Sequence, residues 1–413
     1  MIEWGLFPRY NPPPVIVSVA HPWGITRRGK GQESRLPMSE RLQSLDFFRG
    51  ITIAAMILVN DPGDYEASHW PLRHANWNGW TPTDLVFPFF VFIVGVAMVF
   101  SFASRLERGH SRWQLMKHVL RRGAILIALG VFLNGFPNHF NPHSLRIEGV
   151  LQRIALCYVI SSVFYLWMGV RGRIATIFTC LVGYWIVMRY VHVPGFGVPT
   201  RDIPLLDPDR NLVAWLDRKL FAGHLYEGTR DPEGLLSTVP AIATALFGVL
   251  TGEWLRSKQS LRRKALWMLI SGVIGVLAGE VFNIWFPINK KLWTSSYVLL
   301  TAGLALIFLA FCYWLLDVRK ARGSWTTPVI VFGTNAIAAY VFSEALAAGL
   351  NTWTIHLAEG GTASIQEVIY NTVFSSAASP PSGFASLLYS IFFVLVCWVP
   401  VWLLYRKRIF LKV

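Results

Sequence analysis

Apolar and polar stretches alternate along the whole chain. Apolar segments recur at about 44–60, 84–104, 119–137, 150–169, 174–191, 235–255, 265–286, 295–316, 328–349 and 384–405. Most reach the roughly 20 residues that a helix needs to cross a bilayer. The pattern predicts an all-α, polytopic integral membrane bundle of about 10 transmembrane helices. Its first segment is marginal, because Asp46 and Arg49 sit in the opening turn, where charge is tolerated if it snorkels or pairs one turn apart. The stretch 364–378 reads as a re-entrant or interfacial piece. No internal repeat of the kind found in many transporters stands out.

The polar intervals divide into two sets by charge. Segments 105–122, 170–173, 256–264, 317–323 and the end after Tyr405 hold twenty Lys and Arg between them, whereas 61–83, 134–149, 287–294 and 350–383 hold four. Basic loops stay on the cytoplasmic side, so both termini are expected inside and the loop carrying His74 outside. The long loop 192–234 also falls outside. It is rich in Pro and Gly, and its stretch 211–223, NLVAWLDRKLFAG, reads as a short amphipathic helix. Residues 1–37 contain the run Pro12, Pro13, Pro14 and no apolar stretch long enough for a secretory signal. They read as a disordered cytoplasmic tail, with Met38 an alternative start; residues 38–413 read as one transmembrane domain.

Composition supports this division. The 413 residues are 54% hydrophobic and only 15% charged, against roughly a quarter charged in soluble domains. A net charge of +15 would suit nucleic acid, but its concentration at helix ends argues for a membrane and against nucleic acid. The four cysteines, Cys157, Cys180, Cys312 and Cys397, lie in apolar segments with no CxxC spacing, and no metal is expected.

Candidate chemistry concentrates around the first two spans. His74 lies fourteen residues after Asn60, which ends the first span, and ten before Asp84, which opens the second. An imidazole base, an amide donor and a carboxylate orienter at one helical mouth would suit acyl transfer. Spacing leaves open the alternative of an interfacial loop in which His, Trp and Asn anchor headgroups, and His69 competes for the role of His74. Asn76, Trp77 and Asn78 share the loop. Elsewhere, Asp46 and Arg49 suit either an intrahelical pair or, for Arg49, an anionic ligand. Gln152 and Arg153 sit inside the fourth span, where an Arg needs a partner such as Glu280, or a ligand. Asn289, Lys290, Lys291 and Trp293 mark a boundary where interface anchoring is the plain reading. Asn335, inside the ninth span, suits a helix-bridging amide.

Taken together, the blocks RLQSLDFFRG, MILVNDPG, RHANWNGWTPTDLVFPFFVFIVG, GVLQRIALCY, DPEGLLSTVPAI, PINKKLWTSSYVL and GTNAIAAYV resemble the heparan-alpha-glucosaminide N-acetyltransferase family. The resemblance runs in order from about residue 40 to the C-terminus and looks like that of a bacterial member reduced to the catalytic core. It implies a transmembrane acyltransferase that moves an acetyl group from cytosolic acetyl-CoA to the amine of a glucosamine-type sugar on the external side. It also implies residence in a bacterial inner membrane and suggests a homodimer. The family's active-site histidine corresponds to His74 and its nearby asparagine to Asn60; Asp84 lies in a matching block. Under this reading Arg49, Arg121 and Arg122, with Gln152, Arg153 and Asn335, are expected to hold the donor. His69, Asn76, Trp77, Asn78, Asn289, Lys290 and Trp293 are expected to line the acceptor side. Direct transfer and an acetyl-His74 intermediate both remain open, as do an envelope O-acetyltransferase and a solute transporter.

Overall fold

A computed structural model describes residues 42–137, 139–356, 361–375 and 383–411; the expected tail 1–37 lies outside the described residues. The described residues are mostly helical: α1 (Gln43–Asn60), α2 (Val86–Glu107), α3 (Arg112–Gly135), α4 (Val150–Trp167), α5 (Val170–Tyr190), α6 (Leu212–Phe221), α7 (Thr238–Arg256), α8 (Leu261–Phe282), α9 (Ser295–Tyr313), α10 (Thr327–Thr334), α11 (Ala336–Thr352), α12 (Ile365–Ile369) and α13 (Gly383–Arg406). Every expected apolar segment falls on a helix. Among the described residues, seven helices are long and apolar enough to cross a membrane, or eight if α10 and α11, bent by 75° at Asn335, form one span. The protein is therefore a polytopic helical membrane protein. α1 and α3 are not among the seven, and both open with charged residues.

Small residues set the helix spacing. A methyl group at Gly333 of α10 would lie 1.8 Å from the Asp46 carbonyl oxygen of α1, and one at Gly95 of α2 would lie 2.0 Å from that of Ala245 on α7. Only backbone contact fits in these crossings, as in other membrane bundles where apolar lipid gives helices no hydrophobic reason to associate. Between these pairs lies a core that includes Phe48, Ile53, Phe92, Leu246, Tyr297 and Leu300, each fully buried. α5, α8 and α13 carry many exposed large apolar side chains, Phe178, Ile274 and Leu395 among them, as lipid-facing helices do.

The loop 192–234 is structured. Asn211 caps α6 by accepting from the Ala214 amide at 2.9 Å, which confirms the short helix expected there. Beneath it, Leu206 and Val213 pack with Tyr184 and Met188 of α5 and with Phe286 and Leu292. This cap covers one end of the bundle. The stretch 364–378 resolves into a strand, Thr362–Ser364, paired antiparallel with Thr354–His356, followed by α12 and a wider helical turn to Ser375. Its last residues lie outside those described.

Candidate active site

The loop between α1 and α2 is fixed by its own hydrogen bonds. Thr81 and Asp84 form a reciprocal capping box on the short helix Pro82–Leu85, so a sharp turn ends where α2 begins. Thr81 Oγ1 donates to the Arg73 carbonyl at 2.6 Å and Thr83 Oγ1 to that of Pro71 at 2.9 Å. Gly79, at φ +94°, takes a left-handed conformation that other residues disfavour, and its amide donates to the Ile288 carbonyl at 2.8 Å. The turn 287–294 is thereby stitched to the His74 loop.

His74 Nδ1 lies 2.7 Å from Asp84 Oδ1. The other oxygen of Asp84 accepts from the amides of Ala75 and Thr81, each at 3.0 Å, and lies 3.2 Å from Thr81 Oγ1. From α9, Tyr297 donates to the Asp84 backbone carbonyl. Asp84 is 1% exposed whereas the His74 side chain is 36% exposed. A buried, hydrogen-bonded carboxylate thus holds one nitrogen of a partly exposed imidazole, the arrangement of an oriented base. Lys290 Nζ adds a third member, 2.9 Å from Nδ1, 3.2 Å from Nε2 and 3.6 Å from Asp84 Oδ1. Burial holds the Lys290 ammonium below its ordinary pKa, with Asp84 and Glu233 opposing that shift.

Asn60 does not join this triad by a hydrogen bond. Its amide donates to Glu344 Oε1 on α11 at 3.1 Å, and with Asp61, Asn351, Gln366 and Tyr389 it lines a cavity of about 70 Å³. Burial, then Glu344, raises the Asp61 carboxyl well above the usual range. Between Asn60 and His74 lies a buried charge cluster. Arg146 chelates Asp231 through two nitrogens, at 2.8 and 2.6 Å, and also binds Glu233. Glu233 stands within electrostatic range of Lys290, Tyr297 and Tyr340, and Arg146 within range of Glu344. Nearby, burial and then Asp217 push the Glu148 carboxyl up to about 8.

The remaining expected site residues separate into several places. His69 lies against the start of α13, its ring 3.0 Å from where a Gly383 side chain would begin. Asn76 is exposed. Trp77 is drawn under the cap, donating to the Leu206 carbonyl at 2.7 Å with Arg230 over its ring. Asn78 accepts from Asn289 at 3.3 Å. Asn289 is fully buried and shapes its own turn, accepting from the Leu292 amide. Trp293 is 1% exposed, packed between Phe87 and Tyr297. Both are buried and hold the turn that carries Lys290.

Arg153 does not pair with Glu280, which is exposed on α8. Instead it donates to the Gly234 carbonyl at 3.0 Å and to Ser237, and lies over the Trp293 ring. Gln152 donates to the Ile147 carbonyl. These two therefore belong to the His74 end. Arg49, Arg121, Arg122 and Asn335 belong to the opposite half of the bundle. Arg49 pairs with Asp46 at 3.2 Å and with the Gly333 carbonyl at 3.1 Å. Arg121 is exposed on α3, and Arg122 lies 5.0 Å over the Tyr158 ring. The amide of Asn335 is occupied by the tail, donating to Ile409 and accepting from Leu411. It ties the C-terminal segment to the kink between α10 and α11, and a donor contact would compete with that tether. Among the described residues, no group of three or more His, Cys, Asp and Glu is placed to hold a metal ion.

A multispan helical membrane protein with an oriented histidine at one end of its bundle defines the class. The catalytic-domain model described as heparan-alpha-glucosaminide N-acetyltransferase, catalytic, matches residues 41–279, more than half of the chain, and the chain belongs to that family. It is 32% identical over 370 residues to the heparan-alpha-glucosaminide N-acetyltransferase of Mus musculus, covering 76% of this chain and 55% of that protein. To the protein of the same name from Homo sapiens it is 33% identical over 360 residues, covering 74% and 53%. The chain spans about half the length of the curated relatives it matches.

Proposed function

We propose that this protein is a transmembrane acetyltransferase that moves the acetyl group of acetyl-CoA to the amine of a glucosamine-type sugar across the bilayer. The observation that carries this reading is the His74–Asp84 pair, in which a buried carboxylate orients a partly exposed imidazole whose other nitrogen lies beside Lys290. The family supports the reaction class, and its relatives' name supplies the glucosaminide acceptor. The distribution of Lys and Arg supports ten crossings with both termini cytoplasmic, the donor inside and the acceptor outside, as in a bacterial inner membrane. Acetyl-CoA is a substrate that would reach from the inner face towards His74. Arg49, Arg121 and Arg122 stand in that inner half, and the half-buried guanidinium of Arg122 beside Tyr158 suits its phosphates.

In the proposed step His74 Nε2 takes a proton from the acceptor amine as the nitrogen attacks the thioester carbonyl. Asp84 stabilises the imidazolium, and collapse of the tetrahedral adduct expels the CoA thiolate, which recovers the proton from His74. A role for Asn60 in holding the acceptor fits its place beside Glu344 in an open polar cavity.

The test is transfer from labelled acetyl-CoA to glucosamine by the full chain in detergent, comparing wild type with His74→Ala. Loss of transfer with acetyl-CoA binding kept supports the reading. Equal activity in both would remove His74 from the chemistry. Acetyl-CoA binding without any turnover would point to a different acceptor, such as a hydroxyl of an envelope sugar. No binding of acetyl-CoA at all would make a solute transporter the better account. Acetylated His74 recovered after mixing with acetyl-CoA alone would replace direct transfer by a covalent intermediate.

A further inference from the structure

We infer that Lys290 is a catalytic residue of this site, its ammonium donating to the carbonyl oxygen of the thioester as that oxygen becomes an oxyanion. The inference rests on the acetyltransfer reading above and goes beyond it by assigning the electrophilic half of the site. The carbonyl oxygen needs a donor close to the base, because the attacking amine must lie near both. Asn60, the amide that sequence spacing offers for this task, is bonded to Glu344. Lys290 Nζ lies about one hydrogen-bond length from both ring nitrogens of His74. The Nδ1 position is already shared with Asp84 at 2.7 Å, so the ammonium has N–H bonds to turn elsewhere.

The surroundings suit that task. Lys290 stands on a rigid turn: the Asn289 amide donates to Thr294 Oγ1 at 3.0 Å, the Trp293 amide to the Lys290 carbonyl at 3.0 Å, and Trp293 itself takes φ +49°. A donor already fixed before the reaction costs no reorganisation when charge develops. The titratable groups that face Nζ are Asp84 and His74 from the α1–α2 loop, Glu233 from the cap and Lys291 from its own turn. Lys291 is itself engaged by Glu227 at 2.8 Å. The two nearby carboxylates keep an ammonium present in a place where burial opposes it. An ammonium so close to His74 would also repel a protonated amine, so the acceptor enters as the neutral nucleophile. As the C–N bond forms, the carbonyl π electrons move to oxygen, which Lys290 holds. When they return, the C–S bond breaks and His74 delivers the proton to sulfur.

The experiment measures turnover from acetyl-CoA to glucosamine for wild type, Lys290→Met and Lys290→Arg, each across pH. Loss of the oxyanion donor lowers kcat by about a hundredfold or more, with the KM for glucosamine within about twofold. Arginine restores part of kcat and stays charged at every accessible pH. Wild-type activity falls as pH rises through the lowered pKa of Lys290, and the Arg variant loses that alkaline limb. Amine-selective labelling of wild type followed by mass spectrometry gives a second readout that does not depend on how the turn tolerates Met. Lys290 reaches half-labelling at a pH below the ordinary lysine range. Full kcat in Lys290→Met, an unchanged alkaline limb in Lys290→Arg, or half-labelling of Lys290 in the ordinary lysine range would each overturn the assignment. So would acetylation of Lys290 by acetyl-CoA alone, which would make Nζ an acyl acceptor. An inactive wild type overturns the acetyltransfer reading itself. An active wild type with a dead His74→Ala variant and an unimpaired Lys290→Met variant overturns only the lysine.

Discussion

Two carboxylates bound to nitrogen groups open the first two long helices, and the pairs are built differently. At the start of α1, Arg49 meets Asp46 within one turn of the same helix and donates again to the Gly333 carbonyl of α10. At the start of α2, Asp84 receives hydrogen bonds from Ala75 and Thr81, and His74 brings only one of its two nitrogens to it. In the first pair the polar atoms fasten a crossing where two backbones touch. In the second the carboxylate is saturated, and the second nitrogen of the imidazole lies 3.2 Å from Lys290 Nζ. Both satisfy the requirement that polar groups near apolar surroundings find partners, but the second presents the more exposed side chain, His74 at 36% against Arg49 at 22%.

The largest expected effect separates these two pairs outright. His74→Ala lowers kcat by about a thousandfold, a typical contribution of a positioned base. Thermal unfolding in detergent stays close to wild type, because the side chain is partly exposed. A variant that loses stability as much as activity would make His74 a structural anchor like Arg49. Asp84→Asn comes next. It offers His74 an amide in place of a charge, and its other end must meet the amides of Ala75 and Thr81. We expect about a hundredfold loss of turnover, the lower end of what a positioned base contributes, together with about 1–3 kcal/mol of stability. If only stability falls, Asp84 is a cap and not an orienter.

At the other pair the expected effect is on stability alone. Gly333→Ala would place a methyl 1.8 Å from the Asp46 carbonyl oxygen, forcing α1 and α10 apart at a cost of about 1–3 kcal/mol. Thermal melting of the purified chain measures it, and turnover per folded molecule stays at the wild-type value. A change in kcat would show that the crossing controls the His74 end, and would dissolve the distinction between the two.

The helices were readable because lipid imposes a strict rule. A spanning segment must satisfy its backbone internally and present apolar side chains, so each apolar run became a helix. The bend at Asn335 was not readable, since it follows from a tertiary bond between that amide and the chain near Leu411. Within the site, His74 and Asp84 were legible because both lie in one short polar loop between two apolar runs. The capping box of Thr81 and Asp84 that fixes the turn is a finding of the structure. Lys290, Glu233 and Tyr297 come from distant loops and helices, and no local pattern in PINKKLWTSS or DPEGLL tells an interface anchor from a site contact. Asn60 ran the other way. Its closeness in sequence to His74 suggested one mouth, whereas its hydrogen bond goes to Glu344.

The smallest effect concerns the polar cluster beneath the cap, which resembles neither pair because some of its atoms lack partners. Glu148 is 8% exposed, and its Oε2 has no hydrogen-bond partner. With the carboxyl pushed up to about 8, the folded state holds this proton more tightly than the unfolded chain, where a glutamate titrates near its ordinary value of about 4.3. Stability from this group is therefore fully present at acid pH and is lost as pH rises through about 8. Glu148→Gln, which is neutral at every pH, should remove that loss. The melting temperature of the variant relative to wild type then rises by a few degrees between pH 6 and pH 8.5. Parallel curves would mean that Glu148 is ionised in the folded protein and balanced by Arg146 and Arg153. The cluster would then join the Arg49 pair as a closed, charge-matched fastening.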